Sequence, residues 1–153
     1  PDVVRDKDGI SAAVLVADLA ATLAGSNRTL LDVLGDYAVE FGLHRGDQVS
    51  RRVEDLSDIA EMMKRLRADP PGQLAGEPVT TEDLSLVRGG MRTDAVIFDG
   101  PSIRVVVRPS GTEPKLKCYL EVVVPVANRD DLANALEQAK ARLAELRTFA
   151  LSL

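Results

Sequence analysis

Residues 103–124 read IRVVVRPSGTEPKLKCYLEVVV. Both flanks, Ile103–Arg108 and Lys115–Val124, are dominated by β-branched residues and each predicts a strand. The connection between them is short, so the two strands run antiparallel. Lys115 and Lys117 are two apart and share one face of their strand. Cys118 falls between Lys117 and Tyr119, in the opposite phase, and reads as a core thiol. Upstream, Ala95–Phe98 and Ile103–Arg108 flank Asp99-Gly100-Pro101-Ser102, a hairpin turn that adds a further antiparallel strand.

Working outward, Gln48–Val53 predicts a short strand. Leu56–Ala68 predicts an amphipathic helix with Ile59, Met62 or Met63 and Leu66 inward, stopped by Asp69-Pro70-Pro71-Gly72. Pro78–Ser85 has the polar character of an edge strand. Asp130–Phe149 predicts a long helix carrying Leu132, Leu136, Ala139, Leu143 and Leu146 on one face. One helix follows the first strand and one the last. The expected architecture is α+β: an antiparallel sheet of about four strands with two helices over one face.

Ahead of this domain, Ile10–Ala24 is apolar almost all round, with Asp8 placed to cap its start and Gly25 to stop it. Thr29–Phe41 predicts a second helix with a stripe of Leu30, Leu31, Leu34, Ala38 and Phe41, ended by Gly42. The segment 43–47 (LHRGD) is short, polar and contains Gly46, as a linker should. Its one histidine, His44, is expected at a hinge or on the surface. The expected division is residues 1–42, a linker over 43–47, and a domain over 48–153. Without further structure to cover them, the two helices are expected to expose a large apolar patch.

Composition excludes several classes. The net charge is −5, whereas nonspecific nucleic-acid binding needs a basic face. Aromatics are 3% and Trp is absent, so base-stacking platforms are not expected. No apolar run reaches the roughly 18 residues of a membrane span. The start is polar and charged, unlike a signal peptide. A lone cysteine allows no internal disulfide and suits a reducing cytoplasm. No metal cluster, Walker loop, dinucleotide fingerprint or paired His/Cys spacing is present.

Against that acidic background, residues 108–117 concentrate cations and hydroxyls in one turn. Arg108 offers a planar donor fork for two phosphate oxygens. Ser110 and Thr112 each carry a donor hydroxyl. Gly111 is expected to take positive φ, letting successive N–H groups converge on an anion. Lys117 and Lys115 add charge from one face. Glu113 reads better as a salt-bridge partner of Lys115 or Lys117 than as a substrate contact. An ordinary polar hairpin turn has a similar composition. Ser110 has no neighbouring base in sequence, so a nucleophilic pair is not expected.

The run RPSGTEPKLKCY, Arg108–Tyr119, resembles the phosphate-binding loop of the C-terminal domain in the α-D-phosphohexomutases, the family of phosphoglucomutases and phosphomannomutases. Arg5-Asp6-Lys7-Asp8-Gly9-Ile10, followed by an apolar helix, is similar to that family's segment just after its sugar-binding loop. The resemblance covers nearly the whole chain. It implies that residues 1–42 are the last helices of a sugar-binding α/β domain, and that the chain, which begins with Pro1, is the C-terminal part of a longer enzyme. It implies interconversion of hexose 1- and 6-phosphates through a phosphoserine and a bisphosphorylated sugar.

The resemblance further implies Mg²⁺ in the whole enzyme, with ligands outside this chain, and the enzyme's other domains and a phosphosugar as partners. It assigns Arg108, Ser110, Gly111, Thr112 and Lys117 to the phosphate, with Lys7 and Lys115 as further substrate contacts. Relatives often carry arginine at position 117. No nucleic-acid or membrane partner is expected, and the expected compartment is the cytoplasm. The alternatives are a stand-alone phosphometabolite-binding module, or an interaction domain docking through its apolar helices.

Overall fold

The structure is a computed structural model and describes residues 7–90 and 92–153. Its centre is a five-stranded antiparallel sheet built from β1 (Leu43–Arg52), β7 (Lys115–Val124), β6 (Ile103–Pro109), β5 (Val96–Asp99) and β4 (Thr80–Asp83), in that spatial order. A two-stranded ribbon pairs β2 (Gln73–Leu74) with β3 (Glu77–Pro78). The helices are α1 (Gly9–Gly25), α2 (Leu30–Phe41), α3 (Leu56–Ala68) and α4 (Leu132–Ser152), the last preceded by one 3₁₀ turn over Arg129–Asp131.

The sheet has one dry face. Along β7, Leu116, Cys118, Leu120, Val122 and Val124 are buried, and so are Ile103, Val105 and Val107 of β6. Helix α3 brings Ile59, Met62, Met63 and Leu66 to the core, and α4 brings Ala135, Ala139, Leu146 and Ala150. Phe98 is fully buried and meets Phe149 of α4 edge to face at 6.0 Å between ring centroids. Each such apolar side chain contributes about 1.5–3 kcal/mol by leaving water. The α+β architecture with helices over one face is therefore as expected, and the opposite face of β6 and β7 stays open.

Three expectations need correction. The sheet has five strands rather than about four, because both polar edges join it. Residues 43–47, expected as a linker, form the first half of β1 and pair with Val124 back to Leu120. An edge strand meets one neighbour and tolerates polar residues on both sides, so LHRGD carries no alternation to betray it. Pro78 belongs to the β2–β3 ribbon, and the edge strand starts at Thr80.

The N-terminal helices are capped as their sequences ask. The Asp8 carboxylate accepts from the N–H groups of Ile10 and Ser11. Thr29 and Asp32 form a reciprocal capping box at the head of α2. Helix α2 is fastened to the sheet domain by Arg129, whose guanidinium donates to the Asp36 carboxylate at 3.0 Å and to the Asp32 carbonyl at 2.7 Å. Gly42 then turns the chain into β1 with φ of +89°. No residue of α1 is buried. Among the described residues no single helix is long and apolar enough to cross a membrane; α1 and α2 pass such a test only as a pair bent by 89°.

Candidate phosphate site

Strands β6 and β7 fix the two ends of the 110–114 loop. Register places Arg108 directly opposite Lys117 and Pro109 opposite Leu116. Since Leu116 and Cys118 point into the core, Lys115 and Lys117 point to the open face, and Arg108 shares that face. The Ser110 N–H donates to the Lys115 carbonyl at 2.9 Å and closes the loop across its base. The Val53 N–H donates to the Pro114 carbonyl at 3.0 Å and ties the loop to the end of β1. A short loop anchored at three strand ends holds its side chains in place better than a free one.

Several donors here are unspent. Among the described residues neither Arg108 nor Lys117 forms an ion pair, and Arg108 donates only to the neighbouring Pro109 carbonyl at 3.3 Å. Neither the Ser110 nor the Thr112 hydroxyl has a partner among the described residues, and Gly111 and Thr112 are exposed. Register thus puts two cations without an ion pair among the described residues on one sheet face, next to a loop that carries two hydroxyls.

Beside it the charges are committed. Lys115 donates to one Glu113 carboxylate oxygen at 2.6 Å, and Arg52 approaches the other at 3.4 Å. The Lys115 hydrogen bond, with the added fields of Arg52 and Lys117, holds the Glu113 carboxyl below its ordinary range. The salt-bridge reading of Glu113 is thus the one the structure adopts. Arg52 is a residue that sequence reasoning missed. It lies opposite Lys115 in the β1–β7 register, and only that pairing brings it to the loop. The doublet Arg51-Arg52 gave no sign of which arginine faces which way.

One expectation for the loop fails. Gly111 does not adopt positive φ; the glycines that do are Gly42, Gly76 and Gly89. A Cβ at Gly111 would meet nothing within 4 Å, so the loop itself does not require glycine there.

The remaining candidates lie elsewhere. Lys7 stands at the head of α1, exposed, with φ of +51°. Arg5 and Asp6 of the same motif lie outside the described residues. His44 sits on β1, where its Nδ1 is 3.0 Å from the Glu121 carboxylate. A recess of about 460 Å³ farther along the open face is lined by His44, Gly46, Tyr119 and Glu121. Burial pushes the Cys118 thiol up to about 11, which fits an inert core residue. Among the described residues no group of three or more His, Cys, Asp or Glu side chains gathers to hold a metal.

Residues 49–139 match the family described as phosphoglucomutase/phosphomannomutase, C-terminal domain. This chain belongs to that family. The matched span runs from the middle of β1 into α4 and contains the whole 108–117 loop. Among curated relatives, a probable phosphomannomutase of Haemophilus influenzae is 42% identical over 122 residues, covering 79% of this chain and 25% of the relative. A phosphoglucomutase of Staphylococcus haemolyticus is 31% identical, covering 80% and 25%. A phosphopentomutase of Homo sapiens is 32% identical, covering 94% and 26%. The chain therefore spans about a quarter of the length of the phosphomutases it matches.

Proposed function

We propose that this chain supplies the phosphate-gripping part of a phosphohexomutase. In that reading Arg108, Lys117, Ser110 and Thr112 hold the non-reacting phosphate of a phosphosugar, while a phosphoserine elsewhere in the enzyme exchanges a phosphoryl group with the other end. Gly111 leaves room for the phosphate to approach the backbone. Lys115 and Lys7 are additional substrate contacts. The observation that carries the proposal is the direct cross-strand pairing of Arg108 with Lys117 on an open sheet face, neither of them spent on a carboxylate among the described residues.

The chemistry agrees. A bisphosphorylated intermediate must be held in both orientations, so its distal end is best recognised by a site that reads phosphate and not sugar. Charge-assisted hydrogen bonds from two cations and two hydroxyls do this without touching a ring hydroxyl. The relatives' names differ in the sugar, mannose, glucose or pentose, and share the phosphate. Binding energy from that remote end then positions the reacting end, which is where phosphoryl transfer gains much of its rate.

No group in the loop serves as phosphoryl acceptor: among the described residues no base meets the Ser110 hydroxyl, and the one histidine is engaged with Glu121 on β1. The chain by itself is expected to bind and not to turn over. Mg²⁺ belongs to the whole enzyme in this reading. The described residues do not fit it, since no group of three or more His, Cys, Asp or Glu side chains gathers among them. The proposed setting is the cytoplasm, with the other domains of the enzyme as partners.

Titration of the ¹⁵N-labelled chain with glucose 1-phosphate, followed by NMR, tests the proposal. Saturable shifts centred on residues 108–117 are expected, with an affinity of roughly millimolar to micromolar. Glucose without phosphate should leave those signals unmoved. Absence of saturable shifts, or equal shifts with glucose, rejects the cradle.

A further inference from the structure

The cradle is not empty of anions, because it contains its own. Glu113 projects from the loop and is held through both carboxylate oxygens, one by Lys115 and one by Arg52. Its backbone is pinned, with the Lys115 N–H donating to the Glu113 carbonyl at 2.7 Å and the adjacent Pro114 carbonyl tied to Val53. Its side chain is within reach of solvent: 42% of it is exposed, against 18% for the lysine it pairs with. Lys115 is therefore the enclosed member of the group, while Glu113 and Arg52 stand towards solvent.

We infer that Glu113 is a resident counter-anion of the phosphate site, a carboxylate that an incoming phosphate displaces from Lys115 and Arg52. This inference rests on the phosphate reading of the loop. Four cations face this corner of the sheet: Arg52 from β1, Arg108 from β6, Lys115 and Lys117 from β7. Lys115 and Arg52 share the single negative charge of Glu113 at rest, leaving Arg108 and Lys117 as the point of first contact. A singly charged anion competes poorly with a carboxylate already in place. A phosphate dianion, gripped first by Arg108 and Lys117, can win the other two cations and send Glu113 out to solvent. The internal carboxylate thus lowers affinity for every anion and preserves a preference for the doubly charged one.

Substitution of Glu113 separates this role from a structural one. In the same NMR titration, with inorganic phosphate as probe, Glu113→Gln is expected to bind roughly two- to fivefold tighter than wild type, the size of one exposed ion pair. Acetate, singly charged, should gain more than phosphate does, so the preference for phosphate narrows. Glu113→Ala should match the Gln variant, and Glu113→Asp, which keeps the charge, should stay near wild type. A carboxylate that merely braces the loop predicts the reverse, weaker binding in the Gln and Ala variants. Wild-type binding with no tightening in either variant overturns the inference alone. Silence from the wild type and both variants rejects the phosphate site itself, and the inference with it.

Discussion

Arg108 and Lys117 stand directly opposite each other across the β6–β7 ladder, on the face that α3 and α4 leave open. Like charges at such a pair repel, and the sheet gains nothing from placing them there. An anion between them reverses the sign of that interaction. Arg108→Ala is expected to weaken phosphate binding roughly ten- to hundredfold, the value of a charge-assisted hydrogen bond. Arg108→Lys should fall between, since charge is kept and the fork is lost. Lys117→Arg should bind as well as wild type or better. Calorimetric or NMR titration of the three variants checks the order, and an unchanged Arg108→Ala takes the residue out of the site. If the chain is part of a phosphohexomutase as proposed, the same variant of that enzyme should raise KM and lower turnover together.

Two glycines make opposite predictions. Gly42 has φ of +89°, and a Cβ there would lie 3.1 Å from Val123 Cγ1 and 3.4 Å from the Val124 carbonyl oxygen. Gly42→Ala is expected to destabilise the fold by about 1–3 kcal/mol, the cost of forcing a side chain into that backbone region. Gly111 has neither positive φ nor a neighbour within 4 Å. Gly111→Ala should leave the melting temperature unchanged and weaken phosphate binding, because only a bound ligand would crowd the added methyl. Thermal melts and phosphate titrations of both variants separate the cases. A Gly111→Ala protein that is less stable but binds normally contradicts the proposed use of that glycine.

The parts of this fold most legible in the sequence are those with one strong local signal. Leu56–Ala68 has helical spacing and a Pro-Pro stop, and the helix occupies those bounds, with Asp55 capping its start. The hairpin at 99–102 closes as expected, with the Gly100 N–H donating to the Ile103 carbonyl. Strand β1 was half hidden, because an edge strand with polar residues on both faces has no period to read. Arg52 was hidden for a different reason: its place beside Glu113 depends on the register of β1 against β7, a pairing of segments far apart in sequence. The cradle's cations were visible as composition. Their division into committed and uncommitted pairs was not, since only geometry decides which lysine a carboxylate reaches.

Glu77 makes the fold sensitive to acid. Its carboxylate accepts from the Ser102 hydroxyl at 2.5 Å and from Arg142, and Arg142 also donates to the Ser102 hydroxyl at 2.6 Å. This joins the β2–β3 ribbon, the 99–102 turn and α4. Burial alone would raise the Glu77 pKa, but the hydrogen bonds from Ser102 and the charge of Arg142 outweigh it and bring it below its ordinary 4.5. Between the depressed folded value and 4.5 the unfolded chain binds more protons, so stability rises with pH there. The contribution is complete above the unfolded value and is lost as pH falls through the folded one. Asp83, held down by Ser85 and Arg67 against its own burial, acts in the same direction. Glu77→Gln should cost on the order of 1 kcal/mol at neutral pH and flatten the acid limb of a melting-temperature profile. An acid limb of unchanged steepness in that variant would remove Glu77 as its source.

The N-terminal helices carry apolar surface that the sheet domain does not use. Ile10, Val14, Leu15 and Leu19 of α1 are exposed, as are Leu31, Leu34 and Phe41 of α2, with Leu31 at 77%. Helix α2 cannot turn this surface inward while Arg129 holds Asp32 and Asp36 on its other side, and Gly35 lies so close to α4 that a Cβ would come 3.3 Å from Leu132 Cδ1. In water such a patch lowers its free energy by meeting another apolar surface. The chain is therefore expected to self-associate as concentration rises, in sedimentation velocity. Leu31→Glu with Leu34→Lys should raise the dissociation constant at least about tenfold, because two exposed leucines lose their apolar contribution. The phosphate loop lies on a different element, so its response to phosphate should survive the double substitution. A chain that stays monomeric across the concentration range and binds no apolar dye would mean that α1 and α2 bury these residues against each other in solution.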